Sequence, residues 1–193
     1  PPGLAPVTFS PRALEKMRSR RGKARSFYLD AALLESYWNQ EHVYHHTAPV
    51  SLHYALHAAL RAVLAEGLDA RFERHRRNHD ALITGLHALG LELLPAPAHG
   101  LVTLHAVRVP AGVDEAAVRK ELLTEHAVEI GAGLGPLRGK IWRIGLMGSS
   151  STSNNVLLVL AALEKALRRS AAPPVTGGVD AALESFRRSG AAS

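Results

Sequence analysis

Cysteine is absent from the 193 residues of the sequence, and its absence excludes several kinds of chemistry. Without thiols the chain can form neither disulfides nor zinc–thiolate sites, and it cannot use a cysteine nucleophile. Aromatic residues are also scarce, at 5%, so the stacking platforms that usually accompany single-strand nucleic-acid binding are few. The lack of cysteine suits a reducing compartment, and we expect a cytoplasmic protein without a nucleic-acid partner.

Long apolar runs are missing too. No uninterrupted apolar stretch approaches the roughly 18 residues that a membrane-spanning helix needs, so we expect no membrane contact. The first residues, Pro1-Pro2-Gly3-Leu4, have neither the basic leader nor the apolar core of a signal peptide. Because the sequence also lacks an initiator methionine, we expect its natural N-terminus to lie upstream of Pro1.

The sequence does contain enough apolar residues for a packed core. They make up 47% of the chain, and charged residues make up 21%, a balance that is atypical of disordered proteins. The formal net charge of +6 favours anionic partners. The densest basic run, which is Arg71, Arg74, Arg76 and Arg77, indicates a solvated helix face rather than a nucleic-acid contact.

Sequence patterns predict a mainly helical first third and a mixed remainder, with a boundary near residues 66–69. Capping residues and apolar periodicity predict helices over residues 11–21, 31–38, 47–66 and 69–89. The helix from Thr47 has only a narrow polar stripe, so we expect it to be largely buried. Strands are predicted at 4–9, 91–94, 102–109, 128–130 and 141–146, and further helices at 114–125 and 152–169. The second part is therefore an α+β layer, followed by a linker at 171–178 and a tail.

The block Tyr44-His45-His46-Thr47-Ala48-Pro49 immediately precedes that apolar helix. The start of a helix is a natural anion site, because free N–H groups and the positive end of the helix dipole meet there. Tyr44 and Thr47 would add two hydroxyl donors, which makes a phosphate group a fitting ligand. The alternative is that Thr47 is only an N-cap, and the local pattern by itself favours this alternative.

Arg143 stands alone in the otherwise apolar predicted strand Ile141-Trp142-Arg143-Ile144. A buried guanidinium needs a partner, because an unpaired buried charge costs several kcal/mol. That partner is either a carboxylate of the chain itself or the α-carboxylate of a substrate, held by two parallel hydrogen bonds. The strand alone does not decide between them.

Two further patterns indicate structure rather than chemistry. The segment Gly131-Ala132-Gly133-Leu134-Gly135-Pro136 lacks the spacing of a dinucleotide-binding fingerprint and predicts a tight loop before the arginine strand. His53 and His57, in a histidine group that also includes His42, His45 and His46, have the spacing of two metal ligands on one helix face. Because no known motif joins a carboxylate to them, we predict no metal site.

Four blocks of the sequence, taken in order, resemble one family. They are Ser26–Asp30, Tyr44–Val50, Gly133–Pro136 and Arg143–Gly148. They resemble the alanine–glyoxylate and serine–pyruvate aminotransferases, which are class V aminotransferases on the fold-type I architecture of pyridoxal-phosphate enzymes. The resemblance implies an α/β protein in which residues 1–67 end the large cofactor-binding domain. Residues 68–170 would then form a small α+β C-terminal domain, and residues 171–193 a linker and tail.

The resemblance also implies a function. It implies a pyridoxal 5′-phosphate-dependent aminotransferase that moves an amino group from a small amino acid, alanine or serine, to glyoxylate or pyruvate. Arg143 matches the family arginine that binds the substrate carboxylate. Tyr44 and Thr47 match residues that hydrogen-bond the cofactor phosphate of the neighbouring subunit, which implies a homodimer. No residue of this chain receives a catalytic role.

One expected feature has no match in the chain. The family's Schiff-base lysine lies in a short motif a few residues before the Pro-Pro-Gly that opens this sequence. The chain's own lysines, Lys16, Lys23, Lys120, Lys140 and Lys165, match no such motif. We therefore expect the chain to be the C-terminal half of a longer enzyme. The alternatives are another class V enzyme, such as aminoethylphosphonate–pyruvate transaminase, and a non-catalytic basic interaction domain.

Overall fold

The computed structural model describes residues 3–22, 24–39, 42–170 and 176–190. The chain divides into two compact units, Pro1–Ala65 and Glu66–Ser193. The helices are α1 (Pro11–Arg18), α2 (Ala31–Trp38), α3 (Val50–Glu66), α4 (Leu68–Ala88), α5 (Glu115–His126), α6 (Ser153–Ser170) and α7 (Gly178–Gly190), and the strands are β1 (Leu104–Arg108), β2 (Gly131–Ala132) and β3 (Ile141–Gly145). No helix of the described ranges is long and apolar enough to cross a membrane.

The first two helices of the first unit begin where their capping residues predict. The Ser10 hydroxyl accepts a hydrogen bond from the Ala13 N–H, and the Asp30 carboxylate accepts one from the Ala32 N–H. Helix α1 ends at Arg18, three residues before the predicted end. The prediction of a strand at residues 4–9 is wrong. The described residues of the first unit form helices and loops, so these residues have no neighbouring strand with which to pair.

Helix α3 differs most from expectation. We expected a largely buried helix, but none of its residues is buried, and Leu64 is 78% exposed. A helix that is apolar on most sides needs a packing surface on each of them, and the described residues of the first unit supply too few. An exposed apolar surface of this kind is typical of an association site.

The second unit is built on a three-stranded antiparallel sheet in the order β1-β3-β2. The strand predicted at 91–94 is reduced to a single bridge between Leu93 and Val107. Pro95 follows directly, and a residue without an N–H cannot extend the ladder. The strand predicted at 128–130 is also wrong. Those residues connect the end of α5, where Ala127 adopts a left-handed conformation with φ 53°, to β2.

Four helices share one hydrophobic core with this sheet. The shared core contains Leu82 of α4, Leu122 of α5, Leu160 of α6 and Ala182 of α7, packed with Trp142 of β3. The predicted tail is therefore a helix that belongs to the second unit. Helices α4 and α7 approach closely, since a Cβ atom on Gly85 would lie 2.8 Å from the carbonyl oxygen of Gly178. Residues 171–175 of the predicted linker lie outside the described residues.

Candidate functional site

The hydroxyl groups of Tyr44 and Thr47 lie together in the loop between α2 and α3, with their oxygen atoms 2.9 Å apart. Tyr44 is 71% exposed, and Thr47 is exposed as well. One hydroxyl donates to the other, which leaves one hydroxyl hydrogen and several lone pairs for a ligand. We call these two groups the hydroxyl pair. They are two of the three residues that the sequence predicts for a site, and the structure brings them together.

The backbone at the start of α3 corrects two interpretations of this loop. The first helical residue is Val50, and the carbonyl of Pro49 accepts from the Leu52 and His53 N–H groups. Thr47 is therefore not the N-cap, and its hydroxyl is not bound to the helix backbone. The Val50 N–H donates to the Ala48 carbonyl, so the helix start has fewer free donors than expected. The hydroxyl pair, rather than the helix end, is the main donor set for an anion here.

A buried histidine lies between the members of the hydroxyl pair in the sequence. His45 is 7% exposed, and its ring stacks on Phe27 with ring centroids 4.4 Å apart. Its Nε2 atom lies 2.9 Å from the carbonyl oxygen of Phe27, and its Nδ1 atom lies 2.8 Å from Nδ1 of His46. Because a carbonyl oxygen only accepts, the hydrogen of neutral His45 is on Nε2. Its Nδ1 atom then accepts from the Nδ1–H group of His46.

Arg143, the third predicted site residue, lies in the second unit on the central strand β3. The residues directly opposite it on the two neighbouring strands are Ala106 and Gly131, so no large side chain flanks it on this face of the sheet. The side chain is half-buried, and its Nε–H donates to the carbonyl oxygen of Ala132 over 2.7 Å. This bond fixes the direction of the guanidinium.

No carboxylate of the described second unit forms an ion pair with Arg143. An internal salt bridge, one of the two alternatives for this residue, is therefore not present there. Because Nε is taken by Ala132, the two terminal nitrogens are the donors that remain. They can bind a carboxylate end-on, with one oxygen to each nitrogen. A Cβ atom on Gly131 would lie 3.3 Å from Nη2, so the guanidinium lies directly against this glycine.

Comparison with known proteins decides the family. The (S)-ureidoglycine–glyoxylate transaminase of Bacillus subtilis is 38% identical over 209 residues, which cover 98% of this chain and 50% of that protein. The crystal structure of the B. subtilis ureidoglycine–glyoxylate aminotransferase matches with a TM-score of 0.88 and 40% identity, covering 93% of this chain and 47% of that one. The alanine–glyoxylate aminotransferase from Nostoc sp. matches with a TM-score of 0.79 and 48% identity, covering 83% and 43%. The chain belongs to the alanine–glyoxylate aminotransferase family.

The predicted family and fold class are thus confirmed. No protein-family model matches the chain. The chain spans about half the length of the curated relatives that it matches, which agrees with the expected C-terminal half of an aminotransferase of this family.

The basic run and the glycine-rich segment noted in the sequence have structural roles in this chain. In the basic run, Arg71 and Arg74 both bind Glu66, and Arg74 also donates to the Gly148 and Ser151 carbonyls after β3. The side chains of residues 76 and 77 are exposed. The glycine-rich segment forms β2 and a short 3-10 turn, which confirms the tight loop. No group of three or more potential metal ligands occurs in the described parts of the chain.

A second histidine pair, between α4 and β1, is not apparent from the sequence motifs of the aminotransferase family. His79 Nδ1 lies 2.7 Å from His105 Nε2, and His105 Nδ1 lies 3.2 Å from the carbonyl oxygen of Ile144. His105 is 2% exposed. Burial lowers its pKa to about 4, although its hydrogen bond to Ile144 opposes this shift. The available signal was its place in β1, where alternation puts residue 105 on the core face.

The His105 pKa makes the stability of the second unit depend on pH. An unfolded histidine titrates near pH 6.5, so between pH 6.5 and about 4 the unfolded chain binds a proton that the folded chain does not. Stability is therefore lost as pH falls through this window. We expect the free energy of unfolding to fall by about 2 kcal/mol from pH 7 to pH 5 because of this residue.

Urea unfolding at several pH values, followed by tryptophan fluorescence, measures this dependence. The matched variant is His105→Gln, whose side chain does not titrate. It should be less stable at pH 7 but should lose about 2 kcal/mol less than the parent on acidification. Equal pH dependence in parent and variant would show that His105 does not remain neutral in the folded state. Glu66, whose pKa is lowered to about 2 by its hydrogen bond to Arg74, contributes only at lower pH.

Proposed function

We propose that the chain is part of a pyridoxal 5′-phosphate-dependent aminotransferase that moves an amino group from a small amino acid to glyoxylate or pyruvate, with alanine or serine as donor. The observation that carries this proposal is the state of Arg143, a half-buried guanidinium with both terminal nitrogens available and no carboxylate partner in the described second unit. The names of the relatives, which are glyoxylate aminotransferases, support glyoxylate as acceptor.

Arg143 would bind the carboxylate that amino donor and keto acceptor share. Both kinds of substrate carry this group next to the reacting carbon, so one end-on contact orients each of them in turn. The Ala132 carbonyl would hold the guanidinium in place before substrate arrives, and the residues directly opposite Arg143 on both neighbouring strands are small. Positioning by a preoriented arginine lowers a barrier by several kcal/mol.

The hydroxyl pair fits the phosphate group of the cofactor. A phosphate dianion accepts hydrogen bonds from hydroxyl groups, and the exposed Tyr44 and Thr47 hydroxyls would replace their mutual bond with bonds to its oxygens. When bound, pyridoxal phosphate supplies the electron sink for reaction at the carbon next to the carboxylate. The part of the chain described here contributes anchoring and orientation.

We also propose that none of the described lysines is the lysine that binds the cofactor covalently. Such a lysine needs a depressed pKa and a fixed position, which burial or a neighbouring cation provides. Lys16, Lys120, Lys140 and Lys165 are all exposed, and Lys165 is bound to Glu125. Lys23 lies outside the described residues.

Two further proposals concern the assembly: the protein is a homodimer, and it is cytoplasmic. The exposed apolar residues of α3, such as Tyr54 and Leu64, support association, because monomeric surfaces rarely expose large apolar patches. In the homodimer the hydroxyl pair would serve the cofactor of the partner subunit.

Loss of either hydroxyl should weaken cofactor retention. We expect Tyr44→Phe and Thr47→Ala each to raise the dissociation constant for pyridoxal phosphate by roughly tenfold to a hundredfold, because each removes a donor to a dianion worth about 1.5–3 kcal/mol. Dialysis followed by the cofactor's absorbance measures retention in the full-length protein. Tyr54→Phe, which removes an exposed hydroxyl from α3, is the matched control. Equal loss of cofactor from parent and both variants would refute this role.

Mixing of inactive subunits tests the homodimer. Arg143→Ala subunits should be combined with subunits that carry both Tyr44→Phe and Thr47→Ala. If the hydroxyl pair acts in the partner's site, one site of each mixed dimer combines an intact Arg143 with an intact hydroxyl pair, and the other site lacks both. Activity should therefore reappear on mixing. If activity does not reappear although mixed dimers form, the hydroxyl pair does not act across the interface.

A further inference from the structure

We propose that His45 is a positioning residue that holds the hydroxyl pair in place for the cofactor phosphate. This inference rests on the proposed function of the hydroxyl pair, and it assigns a role to a histidine that does not itself touch the ligand. In the loop between α2 and α3, the His45 ring is buried, whereas Tyr44 and Thr47 on either side of it are exposed.

The main chain of this loop has few other restraints. Among the described residues 42–47, one backbone N–H, that of Val43, bonds to a neighbouring element, the Ser36 carbonyl of α2. Tyr44 and Thr47 therefore depend on side-chain contacts for their position. A loop that moved freely would have to become ordered when a phosphate binds, and this ordering would reduce the affinity.

His45 supplies the missing restraint. Its Nε2–H donates to the carbonyl of Phe27, which is 18 residues earlier in the chain, and its ring stacks on the Phe27 ring. The loop is thus tied to the segment before α2 by a hydrogen bond and a ring contact from one side chain. Burial makes the hydrogen bond costly to break, because the polar groups would be left without partners.

The second histidine extends this restraint toward Tyr44. His46 donates from Nδ1 to Nδ1 of His45, and its ring contacts the ring of Tyr37 with centroids 5.1 Å apart. Tyr37 in turn contacts the Tyr44 ring edge-on, with centroids 6.2 Å apart. Tyr44 is therefore held through the backbone at His45 and through the aromatic ring of Tyr37.

The hydrogen bonds of His45 also explain why its role is to position the hydroxyl pair and not to transfer a proton. Both of its ring nitrogens are engaged, one as donor and one as acceptor. A proton-transfer group needs a nitrogen within reach of the substrate, and His45 has neither a free nitrogen nor an exposed ring. Because His45 acts by positioning the hydroxyl pair, its loss should weaken binding of the phosphate group in particular.

The test compares two ligands in the full-length protein, pyridoxal phosphate and pyridoxal, which lacks the phosphate. His45→Phe keeps a ring against Phe27 but removes both hydrogen bonds. We expect it to raise the dissociation constant for pyridoxal phosphate about tenfold and to leave that for pyridoxal within about twofold. His45→Gln, which retains an amide donor for the Phe27 carbonyl, should recover most of the affinity. His57→Phe, at an exposed position on α3, is the matched control.

The outcomes separate this inference from the proposed function. If the parent binds pyridoxal phosphate and His45→Phe binds it equally well, the positioning role is overturned while the proposed function stands. Equal weakening of both ligands would make His45 a general folding residue and would also overturn the role. A parent that does not bind pyridoxal phosphate would overturn the proposed function and this inference together. Nitrogen NMR of labelled histidine gives a second readout, in which His45 should carry its hydrogen on Nε2 and His46 on Nδ1.

Discussion

Arg143→Ala is expected to raise the KM for both the amino donor and the keto acceptor strongly, while cofactor retention stays close to that of the parent. Loss of a bidentate charged pair is worth about 2–5 kcal/mol, which corresponds to a roughly 30-fold to several-thousandfold loss of kcat/KM. Both half-reactions should suffer, because the carboxylate is the group that the two substrates have in common. The free energy of unfolding should change little, since Arg143 has no ion pair within the described second unit.

Steady-state kinetics with alanine and glyoxylate measure this effect, and thermal unfolding checks the fold. Arg108→Ala is the matched control, because Arg108 is an exposed arginine on the adjacent strand β1. Arg143→Lys should restore little activity, because an ammonium group cannot bond to the Ala132 carbonyl and bind a carboxylate with two parallel bonds. Unchanged KM values for both substrates in Arg143→Ala would make this arginine a structural residue.

Trp142 lies one residue before Arg143 on the same strand. Trp142→Ala should reduce the stability of the fold, whereas Arg143→Ala should reduce substrate binding and leave the fold intact. Trp142 is completely buried, and its indole N–H donates to the Glu115 carbonyl over 3.2 Å. Truncation of a buried tryptophan costs about 3–5 kcal/mol, because it leaves a cavity in the core. That is a large part of the 5–15 kcal/mol that stabilises a typical domain. We therefore expect a protein that is poorly folded or that loses its second unit at moderate temperature.

Chemical denaturation and limited proteolysis measure this loss. Trp142→Phe, which preserves most of the volume, should be markedly milder than Trp142→Ala. Trp38→Ala provides the control for loss of a tryptophan at an exposed position, because Trp38 is 62% exposed. A Trp142→Ala protein with the stability of the parent would show that the core assigned to the second unit does not support its fold.

These adjacent residues show what the sequence can predict. The pattern Ile141-Trp142-Arg143-Ile144 gives both the strand and the isolated charge, because alternation along a strand follows from local geometry. Ser10 and Asp30 likewise give the start of a helix, because capping involves only the next few residues. The resemblance to a family, which rests on four short blocks of sequence, predicts the fold class and the site residues Tyr44, Thr47 and Arg143.

Features that depend on distant contacts were not predicted. The apolar composition of α3 was evident, but its exposure depends on which surfaces pack against it. The interaction of Thr47 with Tyr44, instead of with the helix backbone, depends on how the loop folds. His45 and His105 have hydrogen-bond partners that lie 18 and 26 residues earlier in the chain. No local pattern distinguishes His45 from an exposed histidine, and alternation along β1 is the one local signal for the burial of His105. The sequence predicts a tail where α7 lies, because the contacts that bind α7 to α4 join residues far apart in the chain.

The hydrogen bond from Arg143 to the Ala132 carbonyl limits how this site can change during evolution. Its acceptor belongs to the main chain, and every amino acid placed at residue 132 would bring the same carbonyl group. Mutation can therefore alter the surroundings of the guanidinium, most directly at Ala106 and Gly131 on either side, without deleting the bond that sets its direction. If Arg143 binds the substrate carboxylate as proposed, substrate preference could vary through those two neighbours while the direction of the guanidinium stays set by the backbone.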